Sequence, residues 1–355
     1  MDVDDNFPAA LRIVTEIQNI VNKDVKLKEF DLVIQPESQN KSPVLHVEHC
    51  LGLETWCVRH VYQYVYQRLI LHRKRLKRIE PNDVVPLLTC ALLINPEVFT
   101  FWNMRKELVL SGFLELYAEL HFSSLSLSFK PKCAEIFIYR RWILKNIQSN
   151  DSITNDIVLN ELSVTMSAAA AYASNYSAWN HSFWIVEKSL NLKNFQIMVH
   201  QWDFTKKWCR EHVSDHSCMQ YRQRLLKCFI SDKSCLRHLK SYFSKSLVRF
   251  FNPEEKHKIM KPSDECINEA LGVIIDELYF NEDLIVMYHS HEALWNHRRF
   301  LCHLLANTYC TDSVKEVLMN NERRICTSII KGNETFIKKH AIWLQRTLSI
   351  PIKLL

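Results

Sequence analysis

Apolar residues along this chain fall mostly at helical spacing, in paired segments separated by short polar breaks. LRIVTEIQNIVNK (11–23) places apolar side chains at 11, 14, 17 and 21, the stripe of an amphipathic helix. FDLVIQP (30–36) reads as extended and stops at a proline, and ESQNKSP (37–43) reads as a surface loop. A long helix is expected from about Glu48 to Arg78, with Val58, Val61, Tyr62, Val65 and Leu69 on one face. These segments form an N-terminal helical extension, 1–80.

From Pro81 onward one phrase returns: an aromatic (Met219 in the fourth copy), two residues, an arginine (Ser182 in the third), two residues, then an aliphatic pair. It is carried by NPEVFTFWNMRKELV (95–109), PKCAEIFIYRRWIL (131–144), SNYSAWNHSFWIV (174–186), DHSCMQYRQRLL (215–226) and HEALWNHRRFLC (291–302). Its anchors, Trp102, Phe137, Trp179, Met219 and Trp295, are 35, 42, 40 and 76 residues apart. A period of this size means stacked supersecondary units, so 81–355 is read as a repeat array. Each unit pairs an A helix with a B helix that opens at a cap: Asn95 with Pro96, Lys130 with Pro131, Ser174 or Asn175, and Asp215. The spacing from anchor to aliphatic pair puts both on one face, where they fill the seam between hairpins. The wide gap, including 231–262, is either a decayed repeat or an insertion. HAIWLQRTL (340–348) reads as a worn sixth unit on Trp343 and Arg346, as a capping unit would be.

Composition supports the helical reading. The 355 residues include only 4 glycines, too few for the turns and phosphate loops of a sheet-rich or nucleotide-binding fold. No run of about 18 apolar residues is present, so no transmembrane segment is expected. MDVDDNFPAA has no signal-peptide character, SIPIKLL carries no prenylation box, and twelve cysteines without a CxxC pair suit reduced thiols; cytoplasmic localisation is expected. A net charge of +6 favours acidic partners weakly, and nucleic acid is not expected.

The repeats resemble those of the protein prenyltransferase α-subunit family, whose phrase runs asparagine–tyrosine, two residues, tryptophan, two residues, arginine, then aliphatics. SNYSAWNHSFW and HEALWNHRRFL match it best, and the resemblance, covering about 85–348, is nearest to the repeat-containing α-like branch. It implies an all-α fold, a right-handed superhelix of antiparallel hairpins forming a crescent around a β subunit. It implies that the chain is the non-catalytic α-like subunit of a heterodimeric protein geranylgeranyltransferase, inactive alone. Zinc and geranylgeranyl diphosphate are then expected on the β subunit, of Rab type, and the substrate is a protein with C-terminal cysteines, SNARE-type proteins among the class. No catalytic or metal residue is expected in this chain. Ser174, where related chains carry a basic residue, Tyr176 and His181 are the candidates for the diphosphate side. The competing reading is a tetratricopeptide-like scaffold that binds peptides or proteins without transferase activity.

Other residues admit two readings. Arg105, Arg140, Arg222 and Arg298 recur off the apolar face; they either reach acidic groups of a partner through bidentate geometry or pair internally with neighbouring repeats. Cys209, His212, His216 and Cys218 fit no common zinc spacing and read as surface histidines with buried thiols, and His289, His291 and His297 are no better placed as ligands. HRKRLKR (72–78) is either a basic targeting patch or the cationic end of a helix. The tryptophans are core anchors rather than ligand-stacking residues.

Overall fold

Helices joined by short turns make up most of the described chain, with one small sheet near the N-terminus. The computed structural model describes residues 8–37, 40–73, 80–150, 153–239, 250–251, 265–308, 312–328 and 334–351. Most of HRKRLKR and most of 240–264 lie outside them. Among the described residues no helix is long and apolar enough to cross a membrane.

The extension begins with α1 (Ala10–Lys23), which buries Ala10, Ile13, Val14 and Ile17; Leu11, expected inside, is exposed. β1 (Glu29–Val33), β2 (Val44–Val47) and β3 (Cys50–Glu54) form one sheet in the order β1-β3-β2, with β1 parallel and β2 antiparallel to β3. The helix expected from Glu48 therefore starts late, as α2 (Thr55–Arg73). Glu48 and His49 form the hairpin turn at positive φ, 47° and 70°, and Asp24 accepts from both His46 Nε2 and His49 Nδ1 at 2.8 Å. That clamp holds two residues in a conformation non-glycine residues rarely adopt. Gly52 in β3 lets the strands approach closely: a Cβ there would lie 2.9 Å from Val33 Cγ2 and would have to displace it. α2 buries Cys57, Val61, Val65 and Leu69, most of the face the pattern marked.

The array follows as antiparallel hairpins. A and B helices are α3 (Pro81–Ile94) with α4 (Phe99–Leu110), α5 (Leu116–Phe129) with α6 (Ala134–Asn150), and α7 (Asn155–Ala171) with α8 (Tyr176–Asn191). Next come α9 (Phe195–Glu211) with α10 (His216–Ser231), then a short α11 (Lys233–Arg237). The last pairs are α12 (Glu265–Met287) with α13 (Glu292–Thr308) and α14 (Asp312–Ser328) with α15 (Glu334–Leu348). Asp215 caps α10, accepting from the amides of Ser217 and Cys218 at 3.0 and 2.9 Å, and Asn175 Oδ1 accepts from Ala178 N at 3.1 Å. The proline turns behave differently. α4 opens at Phe99 and α6 at Ala134, not at Pro96 or Pro131. The carbonyls of those prolines turn instead to side chains: Trp102 Nε1 donates to Pro96 O at 2.8 Å and Asn175 Nδ2 to Pro131 O at 2.7 Å.

The chain divides into two compact units, Met1–His181 and Ser182–Leu355. In the first, α1 and α2 lie on α3, and β1 lies on α5. Phe30 N donates to Ser128 Oγ at 2.9 Å, and the Phe30 ring meets Phe129 edge-on at 5.5 Å. In the second, Phe250 and Phe251 are buried, with Phe250 edge-on to Tyr279.

Candidate functional site

All five anchors of the recurring phrase are buried, as hairpin stacking requires. Trp295 repeats the Trp102 bond, its Nε1 donating to His289 O six residues earlier at 2.8 Å.

The four arginines three residues after an anchor are the most informative side chains. Each lies on a B helix and is almost wholly buried. Arg105 donates through Nε to Glu119 at 2.7 Å, and Arg140 Nε donates to Glu161 at 3.0 Å, each with a second bond from Nη2. Arg222 holds Glu277 at 2.5 and 2.6 Å, and Arg298 Nη2 holds Glu322 at 2.6 Å. In each case the acid belongs to the A helix of the following hairpin. The remaining Nη1 of each arginine bonds back to its own A helix: Thr89, Ser123 with Leu120 O, Thr205 with Trp202 O, and Leu278 O. The guanidinium also lies over an aromatic face, 4.0 Å above Phe122 for Arg105 and 3.6 Å above Trp202 for Arg222.

A fourth helix closes each rung. The acid accepts a further bond from the next B helix: Tyr139 Oη to Glu119 at 2.5 Å, His181 Nε2 to Glu161 at 3.0 Å, and His297 Nε2 to Glu277 at 3.0 Å. In the last rung His340 Nε2 meets Glu322 at 2.8 Å. One rung therefore ties both helices of one hairpin to both helices of the next. Removing one partner of such a buried pair strands the other charge and costs about 3–5 kcal/mol.

Electrostatics agree with the geometry. Burial alone would raise the Glu161 carboxyl, but Arg140 and the bond from His181 reverse this and hold it at about 2. Glu277 and Glu322 are brought to about 2 in the same way by Arg222 with His297 and by Arg298 with His340. Burial works against the Arg298 charge, yet Glu322 overrides it and the guanidinium is harder to deprotonate than usual. His181 is lowered by burial, which Glu161 only partly offsets. Arg141 Nε donates to His181 Nδ1 at 3.2 Å, so the ring is neutral with its hydrogen on Nε2.

The inward arginines correct the partner-facing reading of Arg105, Arg140, Arg222 and Arg298. Their donors are consumed by carboxylate and backbone inside the chain. His181 is likewise no candidate for the diphosphate side, because it is sealed at 0% exposure between Glu161 and the Phe137 ring. Ser174, at φ 52°, and Tyr176, 56% exposed, mark the turn into α8. The worn sixth unit has a different register: Arg346 is exposed, and the rung histidine, His340, stands three residues before Trp343 rather than two after it.

Across the wide gap, Arg222 of α10 grips Glu277 of α12, as consecutive hairpins do elsewhere, so the fourth and fifth hairpins are neighbours.

The thiols and histidines of the two sequence clusters are engaged in other contacts. Cys209 and Cys218 are buried with sulfurs 3.8 Å apart, while His212 stacks on Trp208 at 4.1 Å and His216 is exposed. His291 bonds Ser214 Oγ, and His297 belongs to its rung. Cys302, Glu322 and His340 lie close together, but Arg298 already holds both oxygens of Glu322, and a cation there would face a guanidinium.

The family described as protein prenyltransferase alpha subunit repeat matches residues 158–189, 199–229 and 274–305, which are the α7–α8, α9–α10 and α12–α13 hairpins. The chain is 33% identical over 314 residues to "Protein prenyltransferase alpha subunit repeat-containing protein 1" of Homo sapiens, spanning 82% of this chain and 77% of that protein. It is 31% identical to the protein of the same name from Danio rerio, over 82% of this chain and 72% of the relative. A more distant similarity, 24% over 153 residues, links 38% of this chain to 40% of the "Geranylgeranyl transferase type-2 subunit alpha" of Candida albicans.

Proposed function

The chain belongs to the protein prenyltransferase alpha subunit repeat family, and from that membership we propose that it is the non-catalytic α-like subunit of a heterodimeric protein geranylgeranyltransferase. The observation that carries this reading is the similarity, over about four-fifths of the chain, to proteins built from this α-subunit repeat, joined by the distant likeness to a geranylgeranyl transferase α subunit. In this reading a β subunit of Rab type supplies the zinc that lowers the substrate thiol's pKa and the pocket for geranylgeranyl diphosphate. The present chain selects the protein substrate, a cysteine-tailed protein of the SNARE type among the class.

The ladder supports a division of labour. Its arginines are spent on holding hairpins in register, so contact with the β subunit falls to other surface groups. A permanent heterodimer of this kind buries well beyond about 2,000 Å². Ser174, in the turn into α8, and Tyr176, exposed at its start, are the family-derived positions that this reading assigns to the diphosphate side.

The test is co-expression with a Rab-type geranylgeranyltransferase β subunit, followed by purification and transfer of labelled geranylgeranyl to cysteine-tailed substrates. A stable complex with transfer is expected. Failure to co-purify would favour a peptide-binding scaffold instead.

A further inference from the structure

Three rungs are closed by a histidine, and two of them carry a further bond that the last one lacks. In each, the ring directs its Nε2 hydrogen at the rung glutamate, which leaves Nδ1 as an acceptor. The residue directly after the rung arginine, one hairpin back, supplies the donor in two cases. Arg141 Nε donates to His181 Nδ1 at 3.2 Å, and Gln223 Nε2 meets His297 Nδ1 at 3.3 Å. The corresponding residues of the last rung are Arg299, directly after Arg298, and His340. They repeat the residue types of Arg141 and His181. Yet Arg299 Nε and His340 Nδ1 are both shielded from water, and neither has a partner among the described residues. A buried donor and a buried acceptor are each costly to leave unmet, and these two are complementary.

The two side chains are neighbours. α15 packs directly on α13. The charge of Arg299 helps to lower the proton affinity of His340, as that of Arg141 does for His181. The imidazole is the fixed member. Its centroid lies 5.3 Å from the Trp295 ring, it stacks on Trp343 at 6.0 Å, and its Nε2 is tied to Glu322 at 2.8 Å. Arg299 is the looser one. It is half-buried, burial disfavours its charge, and Glu292 only partly offsets this. Its Nη1 donates to Asn296 Oδ1, at an exposed position, at 3.1 Å.

We propose that Arg299 and His340 form a latch on the last hairpin, open in this structure, which a turn of the guanidinium closes by bringing Nε onto His340 Nδ1. Closed, the latch ties α15 to α13 directly. Open, it leaves α15 joined to its rung only through Glu322 of α14. The last hairpin thus has two states of different hold, set by one side chain.

The test uses the full chain, deuterated and labelled with nitrogen-15 at arginine and histidine. A coupling across the hydrogen bond between Arg299 Nε and His340 Nδ1 is expected, with the ring hydrogen of His340 on Nε2. Deuterium exchange then reads the hold on α15. Arg299→Met removes the donor and is expected to speed exchange of the α15 amides roughly two- to tenfold, one hydrogen bond's worth, with α12 unchanged. Arg299→Gln offers an amide donor, as Gln223 does for His297, and is expected to keep α15 near the parent rate. Absence of the coupling, a ring hydrogen on Nδ1, or α15 exchange indifferent to Arg299→Met would overturn the latch. Exchange as fast in Arg299→Gln as in Arg299→Met would overturn it in favour of a role for the guanidinium's charge. The measurement uses this chain alone, so its failure leaves the transferase-subunit reading standing.

Discussion

Ser182 and Gln201 occupy, at the junction of the third and fourth hairpins, the two positions that the other rungs give to an arginine and a glutamate. Ser182 follows the Trp179 anchor by three residues, and Gln201 accepts from Tyr221 Oη at 3.0 Å just as Glu119 accepts from Tyr139. Both are buried, and Gln201 Nε2 has no partner. The two charges are absent together, as they must be: a carboxylate left there without its guanidinium is a buried unpaired charge.

Restoring only one charge at this rung should therefore be costly. Ser182→Arg or Gln201→Glu alone is expected to destabilise by about 3–5 kcal/mol, the penalty for a stranded buried charge. The double variant should recover most of that loss, giving a coupling energy above about 2 kcal/mol in urea denaturation. Additive losses would show that the positions do not face each other.

The Arg222–Glu277 pair gives a similar test across the wide gap. Arg222→Met should cost about 3–5 kcal/mol, and pairing it with Glu277→Met should cost less than either single change. Equal or greater loss in the double variant would deny that the fourth and fifth hairpins are neighbours.

Acid should weaken the protein in two stages. His181 and His340 are held below the ordinary 6.5, first by burial, with their glutamates opposing. The unfolded chain takes up those protons first, so stability present above about pH 6.5 is lost as pH falls toward the folded values. Glu161, Glu277 and Glu322 sit at about 2 against an ordinary 4.5. A second loss therefore begins near pH 4.5 and runs to about pH 2, on the order of 3 kcal/mol per glutamate. Urea midpoints across this range should show both stages, and His181→Gln with His340→Gln should remove the first. An acid limb unchanged in that variant would count against the neutral rings.

Trp179→Ala removes a buried anchor and should cost about 3–5 kcal/mol. An unaltered urea midpoint would mean that the indole is not part of the third hairpin's core.

Much of this architecture was legible in sequence because anchors and aliphatics carry a fixed helical spacing, and burial follows from that spacing. The acids were not, because Glu119, Glu161, Glu277 and Glu322 look like ordinary polar positions on A helices. A signal did exist: three of them precede by 20 residues a tyrosine or histidine two places after an anchor, and Gln201 precedes Tyr221 by the same interval. Of the sheet, only β1 shows in the extended FDLVIQP; Cys50–Glu54 runs straight into a helical pattern, and its strand character depends on pairing with Glu29–Val33, some twenty residues away. The arginines leave the apolar stripe, so their spacing alone does not separate partner contact from internal pairing; four-helix pairing gives the cation its interior home.

Because every charged rung joins a cation on one hairpin to an anion on its successor, a unit set between two such rungs carries one socket and one plug. A duplicated unit inserted within the series would arrive electrically self-balanced and mate on both sides. Cutting between an arginine and its glutamate would expose one unmatched charge at each new end. Growth by whole units is thus open to such a chain, while truncation demands a neutral terminus.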